Sequence, residues 1–236
     1  MNTGIHLGMA LSVGSLFFNI GGDAKDILNN FNFLYFSLMF LMFTAFSAVS
    51  ISFPEQIPVV RREHFNRWYT TGAYYTSTLV SILPSQTVCT ITYACITYWM
   101  TGQPLEFERF SIFATTLLMN GVVFGPFFIM PFTIFSGFFL HYRDAPYVFR
   151  WLFHISFLKH GLVGLMISVY GMGRPKLICT DTVNFYCHYR HPKLFMQEYD
   201  MDEESFSIVC AALLVIGVVV VTCSYIILRI RLKHKW

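Results

Sequence analysis

Charge is scarce in this chain: 12% of its 236 residues are Asp, Glu, Lys or Arg, against 55% hydrophobic and 18% aromatic. Soluble domains carry about 25% charged residues, so the composition describes an integral membrane protein. The scarcity is also local. Ile27 to Pro54 and Thr70 to Leu105 contain no charged residue, and each exceeds the ~20 residues that cross ~30 Å of hydrocarbon. No acid lies inside these runs to form a proton or sodium relay, which disfavours a secondary transporter or ion pump. No G-x-x-x-x-G-K-[ST] loop occurs, so the chain is not expected to hydrolyse ATP by itself, and no catalytic constellation is evident. No Asn-x-Ser/Thr acceptor occurs, which removes N-glycosylation. A basic lead-in is missing ahead of the first apolar stretch, so Met1 to Gly22 reads as a span and not as a cleavable signal peptide.

What charge there is lies at the ends of the apolar runs. Arg61, Arg62 and Arg67 form one cluster, and Arg229, Arg231, Lys233 and Lys235 form another. Basic residues that flank spans in this way mark cytoplasmic loops and make nucleic acid an improbable partner. The first cluster belongs to the polar interruption Phe53 to Tyr69, FPEQIPVVRREHFNRWY, which is read as a cytoplasmic loop joining two spans. The second follows ALLVIGVVVVT, an apolar span over Phe206 to Leu228, as a basic stop.

Between these marks the chain divides into further segments. Span one is expected over Thr3 to Ile20. Span two, Phe31 to Ser52, is rich in phenylalanine, and Phe36, Phe40 and Phe43 share one helical face suited to a flat apolar ligand or to ordinary packing. Span three, Tyr74 to Met100, holds Pro84, which predicts a kink, and Thr101 to Arg109 is an extracellular turn. Phe110 to Leu140 carries no charge, but at ~46 Å as one helix it is too short for two full crossings. An even number of crossings there puts the basic tail in the cytoplasm and the loop Arg174 to Ser205 outside. That loop holds Cys179 and Cys187, which an oxidising compartment would pair as an intrachain disulfide. Cys187, His188 and His191 lack a fourth ligand, so no metal site is expected. His141 to Gly171 reads as amphipathic and interfacial or re-entrant, because its uncharged part is too short to cross.

Several of these stretches carry a family resemblance. FPEQIPV with REHFNRWYTTGAYYTS, NFLYFSLMFLMF, YWMTGQP, FSGFF and VYGMGRPKLICTD resemble the membrane domain of subfamily G ATP-binding cassette half-transporters, the White and sterol-exporter group. The resemblance implies an all-α polytopic bundle of the ABC-2 type over residues 1–236, with five to six spans and an extracellular re-entrant helix. Residues 53–69 would be the cytoplasmic coupling helix, and residues 141–205 the extracellular re-entrant and cysteine-bearing region. Most of the fourth helix is missing relative to the family, and Val163 replaces the acidic residue usual in LKHGLVGLMISVYG.

Position by position, the resemblance implies that Arg61, Arg62, Glu63 and His64 contact a nucleotide-binding domain. Leu41, Phe43 and Thr44 would line a substrate cavity opposite Pro126 and Met130, and Phe138 and Phe139 would form the exit plug. ATP and magnesium would be bound by a nucleotide-binding domain elsewhere, with no cofactor on this chain. The implied partner is a second half-transporter in a homo- or heterodimer at the plasma membrane. The expected activity is export of lipids, sterols or similar molecules, with pigment precursors as the other branch. A truncated or split product that dimerises with full-length half-transporters and regulates them is the alternative.

Overall fold

The charge-free runs fold as helices because a backbone without water must bond to itself. The structure, a computed structural model, describes residues 2–123, 154–179, 188–201 and 205–233. Within them lie α1 (Asn2–Leu16), α2 (Ile27–Phe65), α3 (Thr71–Met100), α4 (Phe107–Val123), α5 (Phe157–Tyr170), the short α6 (Pro192–Glu198) and α7 (Phe206–Lys233). An isolated bridge between Asp23 and Ile178 is the extended pairing found among these residues. Three stretches are long and apolar enough to span: Ile27–Ser52, Thr71–Met100 and Phe206–Ile230. The expected first span is a helix of 15 residues, ~22 Å long, packed along α3.

The polar interruption is not a loop. α2 runs unbroken for 39 residues through Pro54 and Pro58 to Phe65, roughly 58 Å, or about twice the hydrocarbon thickness. An interior proline costs an unsupported helix ~3 kcal/mol. Side-chain bonds from α3 and the turn before it support this one: Tyr74 of α3 donates to Gln56 at 2.9 Å, and Tyr69 of the turn donates to Glu63 at 2.6 Å. The helix then stops abruptly. Arg67 N–H reaches the His64 carbonyl and Trp68 N–H reaches the Glu63 carbonyl, both at 3.1 Å, with Arg67 at φ +58°. These two bonds make a Schellman cap, after which Thr70 caps α3 by accepting from Ala73 N–H.

The region around Phe157 to Tyr170 is not one-sided either. Every residue of α5 is buried, enclosed by α2, α4, α6 and α7. Two glycines permit this. A Cβ at Gly161 would lie 2.6 Å from the Asn120 amide, and one at Gly164 would lie 2.9 Å from Thr116. Their absence lets α4 come closer than larger side chains allow, which is how helices associate in lipid. With 14 residues, ~21 Å, α5 covers only part of the ~30 Å core. α7 is the peripheral helix, with 17% of its most apolar window buried against 44% for α2.

Candidate functional site

The end of α2, the start of α3 and the end of α7 meet at one pole of the bundle. Tyr75 donates to the Val221 carbonyl at 3.0 Å, and its ring lies 5.8 Å from that of Tyr225. The two basic clusters therefore share one end of the molecule. A cleft of about 1020 Å³ opens there, lined by Arg61, His64, Arg67, Trp68, Tyr225 and Arg229 among others, with no acid among the described residues of its wall.

A second cleft of about 500 Å³ lies across the α2 terminus, lined by Glu55, Gln56, Glu63, Tyr69 and Tyr74. The four residues expected to act together are thus divided. Arg61 and His64, on one helical face, border the cationic cleft; Glu63 borders the acidic one; Arg62 is exposed and lines neither. Glu63 also acts on Tyr69: burial and the carboxylate beside it push the phenol up to about 12. The bond between them is therefore a neutral phenol donating to a carboxylate at physiological pH.

The expected cavity residues on α2 do not share a face. Leu41 is 1% exposed and Phe43 is 57% exposed. Thr44 donates to the Leu41 carbonyl at 3.0 Å and lies 3.1 Å from His6 Nε2 on α1. The aromatic stripe divides as well. Phe36 and Phe43 are exposed, whereas Phe40 packs inward, 5.3 Å from Tyr93 and 5.4 Å from His6. Pro126, Met130, Phe138, Phe139 and Cys187 lie outside the described residues. Cys179 is disulfide-bonded, next to the Asp23–Ile178 bridge, which belongs to the opposite pole.

That pole holds a group which the sequence reading did not single out. Arg109, 2% exposed, pairs with Glu106 at 2.6 Å and donates to the carbonyls of Ser168, Gly171 and Met172 at 3.0 to 3.3 Å. Those carbonyls are the open C-terminus of α5, where a cation also meets the negative end of the helix dipole. Arg174 donates to Val169 and Gly21 carbonyls and lies over the Tyr170 ring; burial lowers its affinity for its proton. Beneath them, Gln103 donates to Asn30 Oδ1 at 2.7 Å, and Asn30 Nδ2 donates to Tyr170 Oη at 2.8 Å. The available signal was an arginine at the very edge of an uncharged run.

Comparison with known proteins fits this arrangement. Residues 1–124 and 114–170 match the ABC-2 type transporter family. The two matches overlap over 114–124, along the last turns of α4. The chain is 29% identical over 178 residues to ABC transporter G family member 2 of Dictyostelium discoideum, covering 67% of this chain and 13% of that protein. It is 23% identical over 248 residues to Protein white of Ceratitis capitata, covering 96% of this chain and 36% of that protein. A third relative, wht-1 of Caenorhabditis elegans, named as an ATP-binding protein/permease, is 30% identical over 133 residues, 48% of this chain and 20% of that protein. The chain therefore spans well under half the length of these relatives. By the extent of the family match, this chain belongs to the ABC-2 type transporter family, as a membrane domain similar to those of the G-family and White proteins.

Proposed function

We propose that this domain forms the membrane-spanning half of an ATP-driven exporter of lipids, sterols or similar hydrophobic molecules. The observation that carries the proposal is the rigid projection of α2 beyond its apolar span. Residues 61–64 sit at its tip; the Glu63–Tyr69 bond ties the tip to the turn before α3, and the Gln56–Tyr74 bond ties the projecting stretch to α3 itself. A nucleotide-binding domain pressing on Arg61, Arg62, Glu63 and His64 would move α2 and α3 as one body. ATP and magnesium belong to that domain, and the basic pole is cytoplasmic under the positive-inside rule. Placing Cys179 at the opposite pole puts its disulfide in the oxidising exterior, as a plasma-membrane location requires.

In this reading two half-transporters face each other across the exposed Phe36 and Phe43. Leu41 and Thr44 support that wall from behind, with Pro126 and Met130 facing it and Phe138 and Phe139 closing the exit. The test is co-reconstitution with a nucleotide-binding half-transporter in vesicles loaded with a fluorescent sterol. ATP-dependent export that falls at least tenfold in the Arg61→Ala, Arg62→Ala double variant, with dimerisation intact, is the expected result. Dimerisation that lowers the partner's own export, with no export by the mixed dimer, would establish the regulatory alternative instead.

A further inference from the structure

Arg67 occupies a position that suits glycine. It is the left-handed residue of the Schellman cap, at φ +58°, where a residue with a Cβ costs roughly 1 kcal/mol relative to glycine. A strained residue that persists points to work done by its side chain. Arg67 borders the cationic cleft with Arg61 and Arg229, and His64 adds a fourth nitrogen base. Among the described residues none of these three arginines has an ion-pair partner. Glu63 lines the neighbouring cleft and accepts from Tyr69, which borders both. Three unpaired guanidinium groups around one opening repel each other, and an anion placed among them would relieve that repulsion.

The position selects the anion. The cleft lies where the apolar spans of α3 and α7 end, against the tip of α2, with Trp68 72% and Phe65 62% exposed at its rim. Exposed aromatic rings beside basic residues characterise the headgroup layer of a membrane. Tyr225 on α7 and Gly72 on α3 close the wall on the bilayer side, with the Tyr225 hydroxyl 3.7 Å from where a Gly72 Cβ would stand. We infer that this cleft is a binding site for the phosphate-bearing headgroup of an acidic phospholipid, held by Arg61, Arg67 and Arg229. A lipid seated there would join α2, α3 and α7 at the pole where the proposed coupling contact is made.

The experiment titrates the detergent-solubilised full chain with short-chain phosphatidylinositol bisphosphate, short-chain phosphatidylcholine and inorganic phosphate, reading bound species by native mass spectrometry. It needs neither transport nor a nucleotide-binding domain, so its failure is separable from failure of the exporter reading. The expected result is one acidic lipid bound at least tenfold more tightly than phosphatidylcholine and not displaced by millimolar phosphate. Arg67→Gly and Arg229→Gln should each weaken it at least fivefold, with Arg67→Gly melting no lower than the parent because its backbone strain is removed. Equal binding of both lipids, or unchanged binding in both variants, would overturn the site. Displacement by inorganic phosphate would overturn the lipid source in favour of a soluble anion.

Discussion

Arginine is put to opposite uses at the two poles. At one, Arg109 and Arg174 are withdrawn from solvent and spend their donors on backbone carbonyls of α5 and the 17–26 turn. At the other, Arg61, Arg67 and Arg229 stand around an open cleft without a protein partner among the described residues. The first arrangement holds a short buried helix in place and has no free donor geometry to offer a ligand. The second contributes little to the fold and leaves its charge available. Removing a charge should therefore be costly at the first pole and nearly silent in stability at the second.

The largest effect is expected for Arg109→Met. It strands the carbonyls at the α5 C-terminus, and each buried acceptor left unmet costs about 1–3 kcal/mol; Glu106, 59% exposed, is left to water and adds little. Thermal unfolding in nanodiscs should show a strongly lowered midpoint or no folded protein, while Arg229→Gln should change stability by less than about 0.5 kcal/mol. Equal effects at the two poles would remove the contrast.

A smaller loss is expected at the middle of the same helix. Gly164→Ala drives a methyl to 2.9 Å from Thr116 in α4, and overpacking of that kind costs about 1–3 kcal/mol. Pairing it with Thr116→Ser, which removes the Cγ2 that the methyl meets, should recover part of the loss. No recovery in the double variant would show that α4 and α5 adjust without strain.

Much of the bundle was legible because water-free runs leave few choices. Ile27 to Pro54 and Thr70 to Leu105 announced spans by their lack of charge, and the Thr101 to Arg109 turn was bounded by charge on one side and Gly102 and Pro104 within it. The 53–69 stretch reads as a loop from its two prolines and five charged residues, whereas the resemblance implies a coupling helix there; the chain is helical to Phe65, held by the bonds from Tyr69 and Tyr74. The loop reading also hides the site's division. Arg61 and His64 stand at helical i,i+3 spacing and Glu63 does not join them, a pattern with meaning only once the stretch is known to be helical. Arg143, Asp144, Arg150 and Lys159 make 141–171 read as interfacial or re-entrant; Lys159, within α5, is buried at 8% exposure, which suits a re-entrant helix better than an interfacial face. Its glycines at positions 161 and 164 were the better signal.

The smallest predicted effect sharpens the comparison at the cleft pole itself. Tyr69 is a protonated donor to Glu63, and its phenol is pushed from the ordinary 10.0 up to about 12, first by burial and then by that carboxylate. Because the folded value lies above the unfolded one, the contribution is fully present below pH ~10 and is lost as pH rises from 10 toward 12. The group is largely solvated, so Tyr69→Phe should cost at most about 1 kcal/mol. Tyrosinate absorbance measured in parent and variant should differ by one phenol ionising near 12. A difference centred at 10 would mean that the bond does not hold the tip of α2 to the turn. The tip would then be free to move without α3, which would deprive the proposed coupling contact of its lever and leave Arg61 and Arg67 to act on the lipid site alone.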